Sequence, residues 1–468
     1  MQLFDGSIEI SAKILVHDET QVAKRLKMNL SIKKLLVLLV CCVTLSLVGC
    51  KKSSSTNYDV TVNVSGLLGS GLVLQLNNIY PLAIGANGAA TFTNQLSNGN
   101  GYWVNVLKQP GSPVQTCTVD LATSTGTIAG ANITNIDVTC APIEFAYLTN
   151  LTGNSISPFT IDVATGVLSS SGSPISTGNS PAAFALDSTG RYAYAVNYSD
   201  STISSYLGNP TTGALSGIGS AITTGTSAGP KAVAIDPASS FVYVANSLTD
   251  TVAGFTIGSK NGALTAMASP APTGATPVAL ASVVQSGQEY LYVTNSGGNS
   301  VSEFSITPAT GALNAIGTTG TGNSPVSIAI SGSYAYVVNS ADATVSGYLI
   351  NSGSLLSTGA AVSTGGTSPV SIAVSPNGLF AYVVNSGSNS IMAYSISPVG
   401  ILTSLGATAG TGNGPASVAV DPKGGYVYVA NKTDNSISVF PISANGTLGA
   451  AATQLFGNGS VSIVTSLN

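Results

Sequence analysis

Groups able to move protons, attack carbonyls or hold metals are scarce in this chain of 468 residues. Its one histidine, His17, lies upstream of Met28, which reads as the true start because signal peptides begin close to their basic segment. Beyond residue 142 the basic residues are Arg191, Lys231, Lys260, Lys423 and Lys432. A mature chain without histidine cannot build a Ser-His-Asp triad, which leaves Ser-Lys pairing as the remaining nucleophile arrangement. No His/Cys spacing suits zinc, no acidic loop suits calcium, and no Gly-Lys-Ser suits phosphate. Neither a metal nor a cofactor is expected, and no catalytic residue is assigned.

The cysteines are divided by an N-terminal address. Lys33-Lys34 precede an apolar run from Leu35 to Val48, and Leu47-Val-Gly-Cys50 ends it. A positive segment, an apolar core shorter than the roughly 20 residues of a membrane span, a small residue and then Cys resemble a bacterial lipoprotein signal. The resemblance implies that residues 1–49 are removed, that Cys50 is lipidated, and that residues 50–57 form a tether. It implies a bacterial cell envelope protein, held to a membrane through its lipid anchor. Lys51-Lys52 after the cysteine favour the outer membrane, on its periplasmic or its exposed face. Cys41 and Cys42 leave with the signal. Cys117 and Cys140 remain, and an oxidising compartment joins such a pair as one disulfide.

Composition narrows the partners. The chain is 44% hydrophobic and only 7% charged, and residues 1–49 hold six of its bases and four of its acids, leaving 8 bases against 14 acids. With no basic track for phosphates, nucleic acid is excluded. Residues 58–142 alternate, as in Val60-Thr-Val62-Asn-Val64 and Leu72-Val-Leu74-Gln-Leu76, and Gly-rich breaks separate the segments. Six to eight short strands are expected there, forming a small immunoglobulin-like β-sandwich with one disulfide. Trp103, which alternates with Tyr102 and Val104, is assigned to its core.

Residues 143–468 are repetitive. Tyr147-Leu-Thr-Asn150 recurs as Tyr194-Ala-Val-Asn197, Tyr243-Val-Ala-Asn246, Tyr292-Val-Thr-Asn295, Tyr336-Val-Val-Asn339, Tyr382-Val-Val-Asn385 and Tyr428-Val-Ala-Asn431, at steps of 44 to 49 residues. Each repeat reads as a Pro-led strand, a turn, the Tyr strand, a third strand and a weaker fourth with Gly-Ala-Leu. Four antiparallel strands make a propeller blade. The first repeat lacks its Pro-led strand, whereas Ser460-Val-Ser-Ile-Val464 is an extra one at the C-terminus. The fold is therefore all-β, a seven-bladed β-propeller closed by its last strand, with no sheet edge left at the seam.

These repeats resemble the YVTN-repeat propellers, relatives of the lactonase-type propellers that include 6-phosphogluconolactonase, and of prokaryotic envelope proteins. The resemblance implies that chemistry, where present, sits at the channel mouth with His, Arg and acidic side chains, facing the position after each opening Pro. That position holds Ala182, Lys231, Val278, Val326, Val370 and Ala416. An apolar ring with one lysine lacks the acid and base that hydrolysis needs. A residue present in every blade serves architecture, so Asn150, Asn197, Asn246, Asn295, Asn339, Asn385 and Asn431 are assigned to turn backbone hydrogen bonds and the Tyr to inter-blade packing. Lys231 is a ligand-contact candidate at the mouth, against the plainer reading of a solvated lysine beside Asp236 or Asp187. Arg191, after the Gly190 turn, is a weaker candidate with a surface role. The function expected is a binding or scaffolding module for an unknown protein or glycan. The alternatives are a lactonase-like hydrolase and a structural surface protein or adhesin.

Overall fold

The computed structural model describes residues 56–111, 115–456 and 459–467, so the N-terminal address and Cys50 lie outside the described residues. In Val60–Ser65 every second residue is Val, and Val60, Val62 and Val64 turn inward. Leu72, Leu74 and Leu76 do the same in Leu72–Leu76, and the two apolar faces share one core. One sheet runs Gly88–Thr91, Val60–Ser65, Ile133–Pro142, Gln115–Val119. The other runs Tyr80–Ile84, Leu72–Leu76, Gly101–Lys108, Thr125–Thr127. Asn57–Tyr58 pairs with Leu96–Ser97, and this brings the strands among the described residues to ten, above the expected six to eight. Val60–Ser65 runs parallel to Ile133–Pro142. Cys117 and Cys140 are cross-strand partners and are bonded to each other. Trp103 is not in the core: its neighbours Tyr102 and Val104 are buried, so the two-residue period of the strand turns Trp103 outward, 43% exposed.

Beyond Pro142 the chain makes seven sheets of four or five strands. Blade 3 shows the pattern, with Pro230–Ile235, Phe241–Asn246, Thr251–Ile257 and Leu264–Ala266 in spatial order and Ala271–Pro272 beside the third. Its second strand is apolar on both faces because each face meets another blade. Val242 and Val244 pack with Tyr194 of blade 2, while Phe241 and Tyr243 pack with Leu291 and Val293 of blade 4.

Six of the seven repeated Tyr add a polar tie across their seams. Tyr243 donates its hydroxyl to the Gly311 carbonyl of blade 4 at 2.7 Å. Tyr194, Tyr292, Tyr336, Tyr382 and Tyr428 bond in the same way to Gly262, Gly353, Gly400, Gly446 and Gly166. Only glycine serves as the acceptor residue at 400: its φ is +76°, and a Cβ there would collide with the Tyr334 ring.

The ring closes through the C-terminal strand. Ser460–Leu467 pairs antiparallel with Glu144–Asn150 and becomes the inner strand of blade 1. It touches the inner strands of blades 7 and 2, and the inner strands of blades 2 to 7 touch in succession. Tyr428 to Gly166, at 3.0 Å, carries the inter-blade tie across the closing seam.

Candidate functional site

At one end of the ring the inner strands begin and the second strands finish, which gathers residues distant in sequence around the axis. Pro230 pairs with Asn246, one residue is skipped, and the ladder resumes at Ala232. The same shift follows Pro181, Pro277, Pro325, Pro369 and Pro415. A bulge leaves one residue unpaired and redirects its side chain. The bulged residues are Ala182, Lys231, Val278, Val326, Val370 and Ala416. Lys231 is exposed and the other five are half-buried.

The repeated Asn frames this mouth without lining it. All seven are buried. Asn150, Asn197, Asn295, Asn339 and Asn431 each donate to two hydroxyls of the third strand, at 2.9 to 3.1 Å. Asn246 and Asn385 donate to backbone carbonyls of Thr224 and Thr364. The bonding is therefore mainly to Ser and Thr side chains two residues apart on the next strand, where the sequence reading had placed turn backbone.

Lys231 does not lie beside Asp236 or Asp187. Those aspartates close the turns at the far ends of the inner strands, whereas Lys231 begins one. Its ammonium sits over the Tyr198 ring, 4.2 Å from the centroid. Gly229 permits this arrangement: it has φ +58°, and a Cβ would meet Leu248 at 2.6 Å and Tyr198 at 3.1 Å. Lys231 is exposed as a residue, but partial desolvation of its ammonium lowers its pKa from the ordinary lysine value, and the charge of Lys432 lowers it further. Lys432 and Tyr198 each follow a repeated Asn, a position that elsewhere holds Leu151, Ser247, Ser296, Ser340 and Ser386. Sequence reasoning missed both. The test for residues unique to one blade, applied to that column, would have found them.

The mouth carries two exposed lysines and its acids are engaged. Asp200 accepts from the Asn179 backbone at 2.6 Å and its amide at 2.8 Å, which lowers the Asp200 pKa and makes it a poor base. Asp342 and Asp434 are held in the same way by Asn323 and Asn413. Neither Lys231 nor Lys432 has an ion-pair partner among the described residues. A cleft of about 420 Å³ opens beside Tyr198, lined by Asp200, Thr223, Thr226, Ser227 and Leu248. Two ammonium groups, a phenol ring and a shallow cleft can hold an anion and a flat or apolar body next to it.

Arg191 is not part of this group. It lies at the other end of blade 2, exposed, with its guanidinium 5.1 Å from the Tyr192 ring. No group of three or more His, Cys, Asp or Glu placed to hold a metal occurs among the described residues.

Comparison with known proteins gives one family. A model of the lactonase seven-bladed β-propeller matches residues 111–228, 219–371 and 331–464. Among solved structures, a putative 6-phosphogluconolactonase of Bacteroides fragilis aligns with TM-score 0.61 at 21% identity, covering 69% of this chain and 98% of that one. A putative 6-phosphogluconolactonase of Bacteroides uniformis gives 0.62, 21%, 69% and 99%. The periplasmic gluconolactonase of Pseudomonas aeruginosa gives 0.60, 20%, 70% and 99%. No curated protein matches the sequence. At these identities the structural likeness establishes the fold.

Proposed function

The chain belongs to the lactonase family of seven-bladed β-propellers, and from that premise we propose that its ring is a binding module of the cell envelope that holds an anionic group of a glycan or protein at the mouth. One observation carries this reading: Lys231 and Lys432 stand there without acidic partners among the described residues, Lys231 over Tyr198, while the acids of that end are already taken as hydrogen-bond acceptors. A hydrolase needs a proton acceptor within reach of the attacked carbon. At this mouth Asp200, Asp342 and Asp434 are bound to backbone and are poor bases.

Placement in the envelope rests on Leu47-Val-Gly-Cys50, with Cys50 as the acylated residue, and on the Cys117–Cys140 bond, which suits an oxidising compartment. Lactone hydrolysis is the second reading, favoured by the family itself. Titration of the full chain with acidic and neutral oligosaccharides, run beside a gluconolactone assay, separates the two. The binding module requires salt-sensitive affinity that falls about ten-fold in Lys231→Ala, with no turnover. Turnover that disappears in Lys231→Ala and Lys432→Ala establishes hydrolysis instead. Fatty-acid labelling lost in Cys50→Ser tests the anchor.

A further inference from the structure

Two of the seven seams carry, at the end of the ring opposite the mouth, a pair of acids that the other seams lack. Glu144 of blade 1 and Glu289 of blade 4 each precede the repeated Tyr by three residues, a position that elsewhere holds Arg191, Ser240, Ser333, Leu379 and Gly425. Each meets the turn aspartate of the preceding blade, Asp421 for Glu144 and Asp236 for Glu289. All four are buried: Glu144 is 0% exposed, Asp236 and Asp421 2%, and Glu289 8%.

We propose that these seams are proton locks, in which one proton shared between glutamate and aspartate ties neighbouring blades and its loss in base loosens the ring. The hydrogen bonding favours this arrangement. Asp421 and Asp236 each accept turn N–H groups on Oδ1, from Tyr426 and from Ser240 and Phe241. Among the described residues, both oxygens of Glu144, and Oδ2 of Asp236, have no conventional donor. A buried carboxylate without a donor is unfavourable, and a second beside it is worse. Protonating the glutamate relieves both problems: its O–H donates to the aspartate, which keeps its charge and its turn bonds.

The surroundings at each seam agree. At the closing seam Lys423 Nζ lies 3.8 Å from Glu144 Oε1 but is 42% exposed, and Tyr428, Tyr426 and Asp162 complete the titratable neighbours. Burial first, and then the charge of Asp421, push Glu144 up to about 7. At the seam between blades 3 and 4, Tyr243 is the further titratable neighbour, and no ion pair supplies a cation among the described residues. There burial and then the charge of Asp236 push Glu289 up. Because the folded state raises both values, the stabilising contribution is present in acid and is lost as pH rises; for Glu144 it is complete below about 4.5 and is lost through about 7. Glu144 also pairs in register with Leu467 of the closing strand, so the first lock sits on the ring's own fastening.

Thermal unfolding of the full chain between about pH 5 and about pH 8 tests this directly. The wild type is expected to lose melting temperature across the interval. Glu144→Gln with Glu289→Gln is expected to match it in acid and melt above it in base. Infrared titration of the wild type, which needs no variant to fold, should show protonated-carboxyl absorption persisting well above the usual carboxylate range. A flat profile, an undiminished slope in the double variant, or absence of that absorption overturns the proposal. A rise in melting temperature in base on adding calcium, reversed by a chelator, also overturns it and makes the pairs a cation site.

Discussion

The two ends of the propeller are made by the same repeat, and they differ in what interrupts it. At the mouth the repeated element is a buried Asn, and the interruptions are Lys231 and Lys432, exposed and without acidic partners among the described residues. At the far end the repeated element is a glycine carbonyl bonded to Tyr, and the interruptions are Glu144 and Glu289, buried between blades against aspartates. Repetition marks architecture at both ends. An interruption that stays in water is free to meet a ligand, whereas one that is buried must find its compensation inside the protein, and its consequence is a change in stability.

Four substitutions or conditions sharpen this contrast, and the far end should give the largest effects. Gly400→Ala forces a side chain to a φ of +76° and into the Tyr334 ring, and unfolding measurements should show a loss of about 4 kcal/mol from backbone strain plus overpacking. Raising the pH from about 4.5 through 7 should remove about 3 kcal/mol through Glu144, because its raised pKa favours the folded state only while the group can be protonated; Glu144→Gln should abolish that part of the slope. At the mouth, Asn295→Ala deletes the donor to Ser300 and Ser302 and should cost about 2 kcal/mol. Lys231→Ala should change stability by no more than about 0.5 kcal/mol while weakening anion binding. A large stability loss from Lys231→Ala, or a negligible one from Asn295→Ala, would break the distinction between the repeated and the interrupting residues of the mouth.

Much of the propeller is legible in sequence because one physical job done seven times leaves a period. The Tyr-to-Asn phrase counts the blades, and the missing first strand together with the surplus Ser460–Val464 segment locates the closure. Single residues were harder to place. Proximity in the chain places Lys231 near Asp236, but an extended strand carries it to the opposite end of the ring from that turn. Alternation along the strand of Trp103 does not say which of its two faces is inside, and Tyr102 and Val104 hold the inner one. Tyr198 and Lys432 each lie one position beyond the repeated phrase, so the period does not mark them.

The sequence by itself determined the number of blades, the closing strand, the buried aromatic spacing and the scarcity of proton-transfer groups, since each follows from local pattern and composition. Tertiary structure alone decided which charges share a neighbourhood. Ring closure brings Glu144, at the start of the propeller, against Asp421 near its end, and it gathers Lys231, Tyr198 and Lys432 from three blades at one mouth. Electrostatic interactions depend on distance through space and on burial, and neither quantity is written in the order of residues along a chain.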